Sequence, residues 1–154
     1  VLLPKLQEYF TITDSSIALM STASISSGVV AFSLMFCFGD QLDMKIMMCS
    51  SVVAEVALHV VSLLCGPTQF WLFVTARSCA AFCGALFQVS LNVTIGGMYK
   101  GLSLTRAFTF LMIVDTSFRI ISQTVSSYFV TNSSLSWKAS ALVPSLLSLP
   151  LIVM

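Results

Sequence analysis

Five ionisable side chains stand inside long apolar runs, where few are expected: Glu55, His59, Arg77, Asp115 and Arg119. Glu55 and His59 are one helical turn apart, with Ser51 and Ser62 near the same face. A carboxylate and an imidazole at that spacing can share a proton, and histidine titrates near physiological pH, so the pair is a candidate proton relay. Packing against a neighbouring polar group is the other reading. Arg77 heads a row with Gly84, Gln88 and Asn92, which fall on one face of a helix of 3.6 residues per turn. A helix lining an aqueous cavity carries such a stripe, whereas a helix facing lipid does not. Arg77 is then an anion-attracting or gating charge. The alternative is that the stripe makes interhelical hydrogen bonds that fix packing. Asp115 and Arg119 are again one turn apart, acid first, which is the favourable order on a helix, and Ser122 and Ser126 continue their stripe. They form either a neutralised structural pair or a switchable one, in which Asp115 trades partners, for instance to Arg77, as a cavity opens and closes. A protonatable Asp115 would permit proton coupling.

The elements that must position these groups follow from composition. The chain has 154 residues, 57% hydrophobic and 8% charged, with mean hydropathy +0.98 and formal net charge +1. An average soluble domain carries roughly 25% charged residues. So few charges cannot cover a water-facing surface, which excludes a soluble globular domain, and the same apolar content excludes disorder. There is no basic patch for phosphates, so no nucleic acid is expected as partner. What remains is a membrane protein whose partner is the lipid bilayer. Cys37, Cys49, Cys65, Cys79 and Cys83 lie in apolar runs and are odd in number, so they read as small hydrophobes rather than a disulfide framework. Cys79 and Cys83 are one turn apart, too few ligands for a metal site. No metal and no cofactor is expected. The chain opens on Val1 with no signal-peptide pattern and closes within an apolar run, so it reads as a fragment of a longer protein.

A spanning helix needs about 20 mostly apolar residues. Spans are expected at about 16–38, 45–65, 70–95, 106–130 and 138–154, giving an all-α polytopic bundle in a single transmembrane domain over 1–154. Gly39-Asp40-Gln41-Leu42-Asp43, Gly66-Pro67-Thr68, Gly96-Gly97 with Lys100-Gly101, and Asn132-Ser133-Ser134 punctuate them. Such short links make consecutive helices antiparallel neighbours. The first fifteen residues, with Pro4, Lys5, Glu8 and Asp14, read as a polar connection, and Thr13 or Asp14 as the N-cap of the first span. Ser24 and Gly28 form a small-xxx-small pair for close helix approach. Lys45, Lys100 and Arg106 lie on one side, Lys5 and Lys138 on the other, which puts the first and third links in the cytoplasm. Asn132 opens a glycosylation sequon on the opposite side. Asn92-Val93-Thr94 fits the same pattern inside a span.

The first link resembles a known family. A hydrophobic helix, then Gly39-Asp40-Gln41-Leu42-Asp43-Met44-Lys45, then a second helix is similar to the loop between helices two and three of major facilitator superfamily transporters. Gly39 and Asp43 match that signature in spacing, and Lys45 is its retained cation. Met44 stands where the family has Arg, and Ile46 where it has a later Gly. Leu3-Pro4 is similar to the link after the first helix, Arg77 to the Arg of the fourth, and Trp137-Lys138 to the pair opening the sixth. Ala81 replaces the Gly that follows that Arg in the family. In texture the chain is similar to the spinster-like lipid transporters. The resemblance implies helices two to six of a twelve-helix transporter, with substrate bound near the midplane between this half and a C-terminal half. It also implies that the second, fourth and fifth helices border the cavity while the third and sixth are peripheral. The 106–130 run contains no Gly, unlike the antiporter motif of some fifth helices.

The expected function is secondary active transport of a small organic solute or amphiphile by alternating access, with protons as a candidate coupling ion. The alternative is a non-transporting multi-pass protein acting as an interaction or assembly partner. One histidine, with no nucleophile elbow, Walker sequence or HExxH, argues against an enzyme.

Overall fold

The computed structural model describes residues 2–131. Their regular elements are helical, and no strand occurs among them. They are α1 (Leu2–Phe10), α2 (Asp14–Phe38), α3 (Met44–Leu64), α4 (Phe70–Met98) and α5 (Leu102–Thr131), with a short 3-10 turn over Gly39–Gln41. By length and composition three stretches can cross a membrane: Asp14–Gln41, Met44–Leu64 and Phe70–Met98. Their ends fall within a turn of those expected for the first three spans. The helix α5 covers the run expected at 106–130 and extends past both ends, but it is not among the three that are apolar enough. The run at 138–154, the Trp137-Lys138 pair and Asn132 lie outside the described residues.

The helices begin and end where side chains say they should. Asp43 is the N-cap of α3: its Oδ1 accepts from the backbone N–H of Lys45 at 2.9 Å and of Ile46 at 3.3 Å. These are two of the four donors that a helix start leaves unpaired. Thr13 occupies the N-cap of α2 in extended conformation without a side-chain bond to the helix's backbone N–H groups, and its hydroxyl bonds those of Ser15 and Ser16 instead. Gly101, at φ +55°, takes the left-handed turn that precedes α5.

The first residues are not a loose polar connection. They fold as α1, whose Leu6 and Phe10 are buried against Cys65, Phe70, Phe73 and Val74. Phe10 stacks with Phe73 at 5.0 Å and meets Phe70 edge-on at 5.7 Å between ring centroids. The Tyr9 hydroxyl donates to the Cys65 carbonyl at 3.3 Å. Pro4 is tolerated because it sits in the first turn, where its missing N–H has no intrahelical role. The helix stops at Thr11, which adopts φ +52°, while the Ile12 N–H returns to the Gln7 carbonyl at 3.2 Å. That is the Schellman pattern, with a β-branched residue where glycine is usual.

The helix α4 is the centre of the bundle, with α3 packed most extensively on it and α2 next. The expectation that consecutive helices are neighbours holds for α3 and α4. It fails for α2 and α3, which scarcely touch, and α5 meets α4 only sparsely. Small residues explain the choice. Ala76 and Ala80 are buried on α4, and Gly84 continues their four-residue spacing. That row lets neighbouring backbones come close. On α2 the buried positions are Ala31 and Met35. The expected Ser24–Gly28 contact is not one of them: among the described residues a Cβ added at Gly28 would meet nothing within 4 Å. Outside this seam the bundle is inside-out relative to a soluble fold. Phe36 is 93% exposed, and Ile25, Leu64, Phe110 and Met112 also face outward. Apolar surface on that scale marks contact with lipid or with further protein.

Gly28 and Gly84 should therefore respond oppositely to substitution. Gly28→Ala is expected to be neutral or to stabilise by up to about 1 kcal/mol through helix propensity. Gly84→Leu should destabilise by about 1–3 kcal/mol through overpacking. Unfolding midpoints in mixed detergent micelles check both. Thr11→Gly should raise the same midpoint, because it removes a left-handed strain of about 1 kcal/mol.

Candidate functional site

The centre of the molecule's polar chemistry lies between α3 and α4. The helix α3 turns Ser51, Glu55, His59 and Ser62 to one face, and Ser51, His59 and Ser62 are all buried there. The Ser62 hydroxyl is satisfied by the His59 carbonyl at 2.7 Å. The helix α4 offers Arg77 and Gly84 to that face. Arg77 Nη1 is 2.8 Å from His59 Nδ1, and His59 Nε2 is 3.7 Å from Glu55 Oε1. The Glu55 carboxylate lies over Gly84, 3.4 Å from where a Cβ would be. Glu55 and Gly84 are both near the midpoints of their helices, while His59 and Arg77 sit closer to the Gly66–Gln69 link.

Donor inventory settles the protonation pattern. A guanidinium has N–H groups and no acceptor, so in its contact with His59 it must donate. His59 Nδ1 must then be the bare nitrogen, and the ring proton sits on Nε2, pointing toward Glu55. At 3.7 Å that second contact is an electrostatic approach, longer than a normal hydrogen bond. The cluster is an anion, a neutral imidazole and a cation in a row, with net charge zero. A balanced row lowers the cost of placing ionised groups in a membrane, which is roughly 2.5–3.5 kcal/mol each on insertion scales.

Glu55 and His59, paired from sequence, are thus joined to Arg77, which the sequence reading placed in a separate stripe. Arg77 and Gly84 meet Glu55 and His59 of α3, and Gln88 and Asn92 are half-buried further along α4. Two hydroxyls of α4, those of Ser78 and Ser90, are buried without a hydrogen-bond partner among the described residues. Asp115 is half-buried on α5. Its pairing with Arg119 and the Ser126 end of that stripe lie outside the described side chains. The loop residues have local roles: Gly39 ends α2, Asp43 caps α3, and Lys45 is exposed. All five cysteines are free thiols, with Cys65 buried in the cluster under α1. Among the described residues no three His, Cys, Asp or Glu side chains converge as metal ligands would. A shallow apolar groove runs along the outer face of α3 from Lys45 to Ala57, and the charged row does not border it.

The three-residue contact was partly readable. Glu55, His59 and Arg77 are the ionisable residues of α3 and α4 away from the helix ends, and a short link makes those helices neighbours. What could not be read was the rotation of each helix, which the Gly84 notch under Glu55 sets.

No protein-family model matches the chain, and no curated protein matches it.

The charged row predicts non-additivity. Arg77→Met alone should destabilise by about 1–3 kcal/mol, because it leaves Glu55 without its counter-charge. Adding Glu55→Gln should recover much of that loss. A double-mutant cycle on unfolding midpoints in detergent reads the coupling.

Proposed function

We propose that this chain is part of a multi-pass secondary transporter that moves a small organic solute or amphiphile by alternating access. The supporting observation is the Glu55–His59–Arg77 row held between two helices able to cross a membrane. Ionisable groups within spans are expensive and typically mark solute or ion pathways. A bundle needing only cohesion would be served by the alanine and glycine seam of α4 alone. Solute binding near the midplane, where repeats meet, is the general arrangement of such carriers. Glu55 and Gly84 lie near the midpoints of their helices, which supports this reading.

In this reading α5 and the 138–154 run are further spans, giving about five. The resemblance of the Gly39–Lys45 loop to the major facilitator superfamily supplies the architecture. The chain then belongs to an N-terminal half that works with a C-terminal half, and the Gly39–Asp43 and Gly96–Gly101 links face the cytoplasm. Arg77, Gln88, Asn92, Asp115 and Arg119 are the residues assigned to the cavity or its gating.

The test is uptake into proteoliposomes holding the protein with its natural flanking sequence. The probes are a panel of radiolabelled sugars, amino acids, organic anions and lysophospholipids. One class should be taken up, and Arg77→Ala should lower its initial rate at least about tenfold with unchanged reconstitution. Wild-type rates in Arg77→Ala, or uptake of no class, would overturn the reading.

A further inference from the structure

The row of Glu55, His59 and Arg77 can exist in two arrangements, and one proton separates them. With His59 neutral, its bare Nδ1 accepts from Arg77 across the α3–α4 seam at 2.8 Å. A proton bound at Nδ1 turns that nitrogen into a donor, and two donors cannot share the contact. The same proton makes the ring a cation beside a guanidinium, and like charges at that separation repel strongly in a low-dielectric interior. The ring's other N–H already points to Glu55, which then becomes the counter-ion of an imidazolium. We propose that Glu55, His59 and Arg77 form a proton-operated latch between α3 and α4, closed through Arg77 when His59 is neutral and opened by a proton taken up at His59 Nδ1.

The proton comes from water and ends as the Nδ1–H bond, and the bond lost is the Arg77 N–H···Nδ1 hydrogen bond. The row passes from net charge zero to +1, and no other group need change. From α3 the ionisable group facing His59 is Glu55, and from α4 it is Arg77, with the Cys83 thiol close enough to Glu55 to feel its charge. Of the other helices that touch α4, α2 carries Asp14 at its start and the Cys37 thiol near its end, α1 carries Lys5, Glu8 and Tyr9, and α5, which meets α4 sparsely, carries Arg106, Asp115, Arg119 and Tyr128. Opening leaves Arg77 seeking a new acceptor. This deepens the transporter reading by naming the proton as coupling ion, and it rests on that reading for its role though not for its existence.

His59 is the single histidine of the chain, so a nitrogen-15 histidine label reports on it alone. The experiment is NMR of the full chain in lipid nanodiscs between pH 8.5 and 5, with a second sample labelled at arginine. Arg77→Met identifies the Arg77 signals by their loss. Expected at high pH is the Nε2–H tautomer with a bare Nδ1. On acidification both ring nitrogens become protonated, and the Arg77 guanidinium signals shift over the same pH interval. In His59→Gln the Arg77 signals should stay flat over that interval. An Nδ1–H tautomer at high pH would overturn the latch. So would protonation of His59 that leaves Arg77 unmoved, or Arg77 shifts that persist in His59→Gln. The spectra decide the latch whether or not uptake is found, and the uptake panel decides transport whatever the spectra show. Where uptake is found, a proton gradient should drive it in the wild type. His59→Gln should lose the gradient dependence.

Discussion

A guanidinium turned into a helix seam must find its acceptor within the protein, and Arg77 finds His59. Much else follows from that contact. The acceptor nitrogen must be bare, which fixes the histidine tautomer. The proton then sits on the opposite side of the ring, toward Glu55. The carboxylate in turn needs room at the helix seam, and Gly84 provides it by having no side chain there. One arginine in a span thus constrains two side chains on the facing helix and a glycine two turns along its own.

Close approach of α3 to α4 is what makes the row possible. Ala76, Ala80 and Gly84 leave α4 a narrow flank, and water is not available to replace a missed contact. Phe10 and Leu6 of α1 cover one end of the same seam, over Phe70 and Phe73. Large apolar side chains such as Phe36 face outward, as lipid solvent allows. Packing and charge balance therefore act on one interface. Loosening the seam would expose the row, and unbalancing the row would loosen the seam.

The spans were legible because bilayer thickness sets a length and apolar composition marks it. The α3 start was legible in Asp43, although its role differs from that of a family signature: its carboxylate holds two backbone donors. The helix α1 was missed because Pro4, Lys5 and Glu8 suggest a link. Leu2, Leu3, Leu6 and Phe10 carry the helical spacing that would have found it. At Gly28 the described residues supply no neighbour. A small-residue pair states that close approach is sterically allowed, and it does not state that a neighbour is there.

By itself the sequence determined the helical class, three stretches long and apolar enough to cross a membrane, and the places where helices begin and end. These depend on composition and on interactions within a few residues. It also determined which spans carry charge. The tertiary structure decided which charges meet. Arg77 was legible as one face of α4 and Glu55 with His59 as one face of α3, but a pairing between helices depends on their relative rotation and depth. Those are set by where the backbones can approach most closely, through the sum of many packing contacts, and no local spacing in the chain encodes that sum.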